Sequence, residues 1–235
     1  MKKDVPDIYV LGTDTGVGKT VLSLLLMRYF YDRGYTPFYF KPLQTGCRDP
    51  YDTDSDAKFI YENIEELKDQ DPAASVGVCY RNPKAPYFAA RNEGRQVRWQ
   101  ILLDGLQKKR EHFSPLIVEA AGGIFVPVDR DNRVIDTIPS SGAQPLIAAR
   151  AGLGTINHTL LTIAALEQRN IEPLGVIFLD GGETSTPEDM IEENIEAIER
   201  YCRVKVAGVV GRIADFRHPA PECFDGLEKI FAGGV

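Results

Sequence analysis

The 235-residue sequence has no apolar stretch of about 18 residues, the length a membrane-spanning helix needs. No membrane partner is expected. It has no long basic run either. Lysine and arginine number 27 against 34 acidic residues, giving a formal net charge of −7, which argues against a nucleic-acid surface. Its four cysteines, Cys47, Cys79, Cys202 and Cys223, show no paired spacing. They read as reduced thiols rather than a disulfide frame or a zinc site. The start, Met1 to Asp7, follows two lysines with two acids and a proline and lacks the apolar core of a secretory signal. A cytoplasmic location is expected. There is no internal repeat and no linker, so residues 1–235 read as a single domain able to bury a sizeable core. No Ser-His-Asp set is present to supply a side-chain nucleophile.

What is present is concentrated near the start. Residues Gly12-Thr13-Asp14-Thr15-Gly16-Val17-Gly18-Lys19-Thr20 lie between two apolar runs, Ile8 to Leu11 and Val21 to Leu26. Strand, glycine-rich turn, Lys-Thr and helix is the layout of a phosphate-binding loop. Gly16 and Gly18 let the backbone turn its N–H groups inward. The helix start at Lys19 adds partial positive charge. Lys19 can reach the β- and γ-phosphates, and the Thr20 hydroxyl can meet Mg²⁺. The usual first glycine of the pattern is displaced: Thr13 occupies its place and Gly12 comes one step early.

Strand-like and helix-like segments alternate along the chain. Strands are expected at Ile8–Leu11, Tyr35–Phe40, Leu116–Val118, Leu146–Ala149, Leu174–Leu179 and Val206–Val210. Helices are expected after Lys19 and at Asp54–Leu67 (exposed), Val97–His112, Thr155–Gln168 and Pro187–Tyr201. Residues 69–96, with several prolines, read mostly as a long loop, and 124–136 as a hairpin-like excursion. The alternation predicts an α/β fold of the P-loop NTPase type, a three-layer, mainly parallel sheet with helices on both faces. Ligands in such sheets collect at the carboxyl ends of the strands. Lys41 is expected just after one strand and Glu119 at the end of another, where metal-binding carboxylates sit. Asp56, in an acidic run, is a third metal candidate.

Five segments, in order, resemble the dethiobiotin synthetase family: the loop 12–20, then Phe40-Lys41-Pro42-Leu43-Gln44-Thr45-Gly46, Ser55-Asp56-Ala57, Val118-Glu119-Ala120-Ala121-Gly122-Gly123, and Gly152-Leu153-Gly154-Thr155-Ile156-Asn157-His158. The likeness covers roughly residues 7–216. It implies ATP-dependent closure of the ureido ring of dethiobiotin from 7,8-diaminopelargonate and CO₂. It implies that Gly16, Val17, Gly18, Lys19, Thr20 and Val21 wrap the phosphates, with Ala120, Ala121 and Gly122 nearby. Leu179 and Asp180, and Ala214, Asp215 and Phe216, would border the base. Thr20, Asp56 and Glu119 would hold Mg²⁺. Lys41 and Lys19 would be catalytic, stabilising the carbamate and the transferring phosphoryl group. Thr15 and Thr45 would contact the diamine, and the turn Gly152, Leu153 and Gly154 would come from the second subunit of a homodimer to bind the substrate carboxylate.

Three departures from the family accompany the likeness. Ala120 stands where glycine is typical, and a methyl there, on the side of the γ-phosphate approach, is expected to be tolerated. Leu179 replaces an asparagine that reads the adenine edge, leaving base preference open. Ala214 replaces a proline near the base. The alternative is a partner-switching ATPase of the chromosome-partitioning type. Such proteins carry a signature lysine where this chain has Asp14.

Overall fold

The computed structural model describes residues 5–182 and 184–232. Residues 1–4, part of the segment inspected for a secretory signal, lie outside the described residues.

Among the described residues, seven strands form one sheet: β1 (Ile8–Gly12), β2 (Phe38–Thr45), β3 (Val76–Tyr80), β4 (Leu116–Gly123), β5 (Gln144–Arg150), β6 (Val176–Leu179) and β7 (Val206–Val210). Their order is β3-β2-β4-β1-β5-β6-β7. Every pairing is parallel. Parallel strands buried on both faces need continuous apolar runs rather than alternation. All five residues of β1 are accordingly buried. Ile8 and Val10 point into one core and Tyr9 and Leu11 into the other.

Among the described residues, eight helices cover the two faces. α1 (Lys19–Asp32), α2 (Asp56–Asn63) and α8 (Asp225–Phe231) pack on one side, through Leu22, Ala57, Ile60 and Leu227 among others. α3 (Pro86–Asn92), α4 (Trp99–Arg110), α5 (Val134–Ser141), α6 (Thr155–Glu167) and α7 (Glu188–Tyr201) pack on the other, through Ala89, Leu106, Ile138, Leu166 and Ile198. The three-layer α/β expectation therefore holds. Among the described residues no helix is long and apolar enough to cross a membrane.

Several boundaries differ from the expected ones. β2 begins three residues later than Tyr35 and runs on through Thr45, so Lys41 lies inside a strand rather than after it. Pro42 does not end this strand, because backbone pairing to β3 continues on either side of it, at Lys41–Val76 and Leu43–Val78. β4 likewise extends past Val118, placing Glu119 within the strand. The segment 69–96 is not mainly loop. It contains a 3-10 turn, the edge strand β3 and helix α3, which opens with Pro86 at its first turn. Prolines at element starts look like loop punctuation when read one residue at a time. α2 stops at Asn63, and Ile64 turns extended before a short 3-10 turn. Its Ala57 and Ile60 are fully buried, so the helix is not an exposed one. In 124–136 the expected hairpin-like excursion is present: Pro127 bridges Arg133 in antiparallel fashion, and the Val128 and Val134 N–H groups donate to the Asn132 and Val126 carbonyls. Helix α5 follows it directly, masked in sequence by Pro139 within the helix.

Candidate active site

β1 lies in the middle of the sheet, between β4 and β5. Its carboxyl end therefore opens at the crevice where parallel sheets take ligands. The chain leaves β1 at Gly12, loops through 13–18, and enters α1 at Lys19. The displaced glycine has a structural reason. A Cβ on Gly12 would lie 2.7 Å from the Asp14 carbonyl oxygen and 2.8 Å from Lys19 Nζ. Glycine at 12 is what lets the Lys19 side chain fold back over the loop, where Nζ donates to the Asp14 carbonyl at 3.0 Å. Burial, followed by repulsion from Lys41, lowers the Lys19 pKa to about 8, against the pull of Glu119 and Asp56. This lysine is short of anionic partners, as a phosphate ligand would find it.

Gly18 caps α1 with φ +94. Leu179, at the end of β6, packs against it: a Cβ on Gly18 would meet Leu179 Cγ at 2.7 Å. Leu179 is thus a core residue that backs the phosphate loop, not one aimed at a base edge. Ala120 is also turned away. Its methyl is buried in the core on the α5 side, so it does not narrow the approach to the cavity. The residue that borders the cavity is Ala121.

Next to the loop lies a buried polar cluster built from four elements. From β4, Glu119 is 1% exposed. Its Oε2 accepts from Ser23 Oγ of α1 and from Tyr39 OH of β2, each at 2.9 Å. Its Oε1 accepts from Thr20 Oγ1 at 3.0 Å and from Lys41 Nζ at 2.7 Å. Asp56 opens α2, where Ser55 caps the helix and the Gln44 side chain accepts from the Asp56 N–H at 3.3 Å. Its Oδ1 accepts from Thr20 Oγ1 at 3.1 Å, and its Oδ2 pairs with Lys41 Nζ at 2.7 Å. Burial opposes the Lys41 charge, but Glu119 and Asp56 together hold its pKa above the ordinary lysine range. Burial likewise opposes the charge on Asp56, yet Lys41 keeps its carboxyl below the usual value. Burial, reinforced by Glu119 and Asp56, raises the Tyr39 hydroxyl well above its usual pKa, so it stays a donor.

Ser23 and Tyr39 were not foreseen. The signal for Ser23 was a lone hydroxyl four residues after Lys19 in an otherwise apolar helix. Tyr39 was hidden among the aromatics of β2. Replacing Tyr39 with phenylalanine leaves Glu119 Oε2 with one donor fewer in a dry environment, and is expected to cost about 1–2 kcal/mol. Urea unfolding measures it, and an unchanged midpoint and slope would rule out the role given to this hydroxyl.

Above the cluster opens a cavity of about 630 Å³, bordered by Thr15, Lys41, Thr45, Lys84 and Val126, with Lys19, Thr20, Val21 and Gly122 on its phosphate-loop side. Lys84 was not singled out in the sequence. Thr15, Gly16, Gly18, Lys19, Thr20, Val21, Lys41, Thr45, Asp56, Glu119, Ala121 and Gly122 all come together here. Val17 is buried in the core below the loop. Asp180 does not border this cavity. It accepts from the Thr186 N–H at 2.9 Å and from its hydroxyl at 2.7 Å, shaping the turn after β6. Ala214 and Asp215 are exposed, and Phe216 packs edge-on against Phe59 of α2, centroids 5.0 Å apart. Gly152, Leu153 and Gly154 also lie away from the cavity, and Leu153 is 94% exposed.

The donor set of Thr20, Asp56 and Glu119 fits Mg²⁺, which takes one or two carboxylates and completes its shell with water and substrate phosphates. Among the described residues no group of three His, Cys, Asp or Glu side chains is placed to hold a metal. A divalent ion here would depend on the nucleotide for part of its shell.

Fold and loop together define a P-loop NTPase. Residues 7–220 match the AAA domain family. A chain of the MinC:MinD cell division protein complex from Aquifex aeolicus has a similar fold: TM-score 0.61, 98% of each chain covered, 13% identity. That degree of identity shows the fold alone. Sequence similarity is more specific. An ATP-dependent dethiobiotin synthetase from Lysinibacillus sphaericus is 38% identical over 198 residues, covering 82% of either chain. Another, from Nitrobacter hamburgensis, is 34% identical over 227 residues, covering 97% of this chain and 93% of its own. The chain belongs to the dethiobiotin synthetase family.

Proposed function

We propose that this protein, as a single-domain enzyme, uses ATP to join CO₂ to 7,8-diaminopelargonate and close the ureido ring of dethiobiotin. The observation that carries this reading is the meeting of a phosphate loop, two buried lysines and two carboxylates at one cavity. A substrate amine captures CO₂ as a carbamate. A carbamate oxygen attacks the γ-phosphorus of ATP and displaces ADP, giving a carbamic–phosphoric anhydride. The second amine attacks the carbamoyl carbon and expels phosphate, closing the five-membered ring. Holding two amines about one carbon is a positioning task, assigned to Thr15 and Thr45. Lys19 and Lys41 offset the charge that gathers on the transferring phosphoryl oxygens. When bound, Mg²⁺ supplies charge neutralisation between the phosphates, held by Thr20, Asp56 and Glu119. Asp180 directly follows β6, whose Leu179 packs on Gly18, and residues 214–216 lie a few residues beyond β7, the strand paired with β6; this placement supports a base site there.

The protein acts as a cytoplasmic homodimer in this reading. The turn Gly152-Leu153-Gly154 lies outside its own cavity with Leu153 exposed, which supports its offering a helix N-terminus to the partner's substrate carboxylate. Incubation with diaminopelargonate, bicarbonate, Mg²⁺ and ATP is expected to yield dethiobiotin, ADP and phosphate. No dethiobiotin, with ATP hydrolysis indifferent to the diamine, would overturn the reading.

A further inference from the structure

The two carboxylates assigned to the metal already hold a cation. Lys41 Nζ lies 2.7 Å from Asp56 Oδ2, 2.7 Å from Glu119 Oε1 and 3.2 Å from the Ala120 carbonyl oxygen. Three acceptors satisfy the three protons of an ammonium. The Thr20 hydroxyl meets the same pair of carboxylates, on Asp56 Oδ1 and Glu119 Oε1. The other Glu119 oxygen is held by Ser23 and Tyr39. The carboxylate is thereby oriented with Oε1 toward Thr20 and Lys41.

An ammonium and a divalent ion cannot share this place. Mg²⁺ binds oxygen at about 2.0–2.1 Å in near-octahedral geometry. Its entry among Thr20, Asp56 and Glu119 would put two positive centres in contact. One must leave, and Lys41 is tethered by a flexible stem beside a cavity it already borders.

We infer that Lys41 is the resident counter-ion of the metal position, and that a divalent cation arriving with the nucleotide displaces its ammonium into the cavity. The inference rests on the reading of Thr20, Asp56 and Glu119 as metal ligands. The exchange keeps the carboxylate pair neutralised in the empty protein. It also delivers the lysine to the phosphoryl and carbamate oxygens only when the metal is in place. The site would be armed by loading, and the free protein would bind metal weakly without nucleotide, since the ion must compete with a tethered ammonium.

The probe is Mn²⁺, followed by the electron paramagnetic resonance of the free ion, on full-length protein without nucleotide. Lys41→Met removes the competitor and is expected to tighten Mn²⁺ binding by about tenfold or more. Equal or weaker binding by a variant whose circular dichroism matches the native protein overturns the inference. If Lys41→Met does not fold, the native protein decides it. In a crystal structure with Mn²⁺ and a non-hydrolysable ATP analogue, Lys41 Nζ is expected to have left both carboxylates. Nζ still within hydrogen-bond distance of Asp56 and Glu119 beside the bound ion overturns it. Absence of dethiobiotin synthesis would instead overturn the functional reading, and leave the metal-exchange result standing.

Discussion

Lys41→Ala is expected to lower dethiobiotin formation by about a thousandfold or more while ATP affinity stays within a few-fold. The lysine sits among carboxylates, beyond the wrap of the phosphate loop, and the backbone N–H groups and Lys19 remain to bind the nucleotide. In the proposed mechanism its share of the work is the charge that appears during phosphoryl transfer. Removing one member of a buried ion pair strands the other, so the variant is also expected to lose about 3 kcal/mol of stability. The loss is held at that level because Thr20, Ser23 and Tyr39 still donate to Glu119. Steady-state kinetics, fluorescence titration with nucleotide and urea unfolding separate the three effects. A fall in nucleotide affinity equal to the fall in turnover would reassign Lys41 to ground-state phosphate binding.

Gly18→Ala is expected to destabilise the protein by about 3 kcal/mol and to weaken nucleotide binding by about a hundredfold, from two causes. With φ at +94, the backbone lies where an L side chain is strained. The new Cβ would also fall 2.7 Å from Cγ and 2.9 Å from Cβ of Leu179. Leu179 is tied into β6 and the core and cannot step back freely. Relief of either strain tilts the N–H groups that would face the phosphates. A double-mutant cycle with Leu179→Ala divides the causes. The double variant should be less destabilised than the sum of the singles, because the clash is gone while the backbone strain persists. Strict additivity would show that Leu179 does not press on the loop. The same contact predicts that base preference is not set by residue 179, and a competition series with ATP, GTP and CTP measures that preference directly.

The phosphate loop was legible because its chemistry is local. Gly16, Gly18, Lys19 and Thr20 are neighbours in the chain, and the flanking strand and helix carry their own apolar patterns. Lys41, Asp56 and Glu119 were legible only one at a time, as charged residues beside apolar runs and through family likeness. Nothing local says that one ammonium spans Asp56 and Glu119. That requires β2 and β4 to pair at Phe38–Leu116 through Phe40–Val118, carrying Lys41 alongside Glu119, and α2 to start at the strand ends. The core placement of Ala120 and Leu179 was hidden for a related reason. Adjacent residues of a strand point to opposite faces, and the start of β4 had to be known before Ala120 could be assigned to the core. Helix α5 escaped because Pro139 and its β-branched residues weaken local helix signals, which packing against the sheet overrides, and the turn and helix within 69–96 escaped because each opens on a proline.

By itself, then, the order of residues determined the class of fold, the phosphate loop and the inventory of charged groups, since each depends on periodicity or on contiguous backbone. The tertiary structure alone decided which oxygen of Glu119 meets which donor, why the first glycine falls at 12, and that one ammonium spans Asp56 and Glu119. Those depend on side chains from α1, β2, α2 and β4 meeting across a buried interface. There, differences of an ångström in a low-dielectric setting separate an ion pair from a clash.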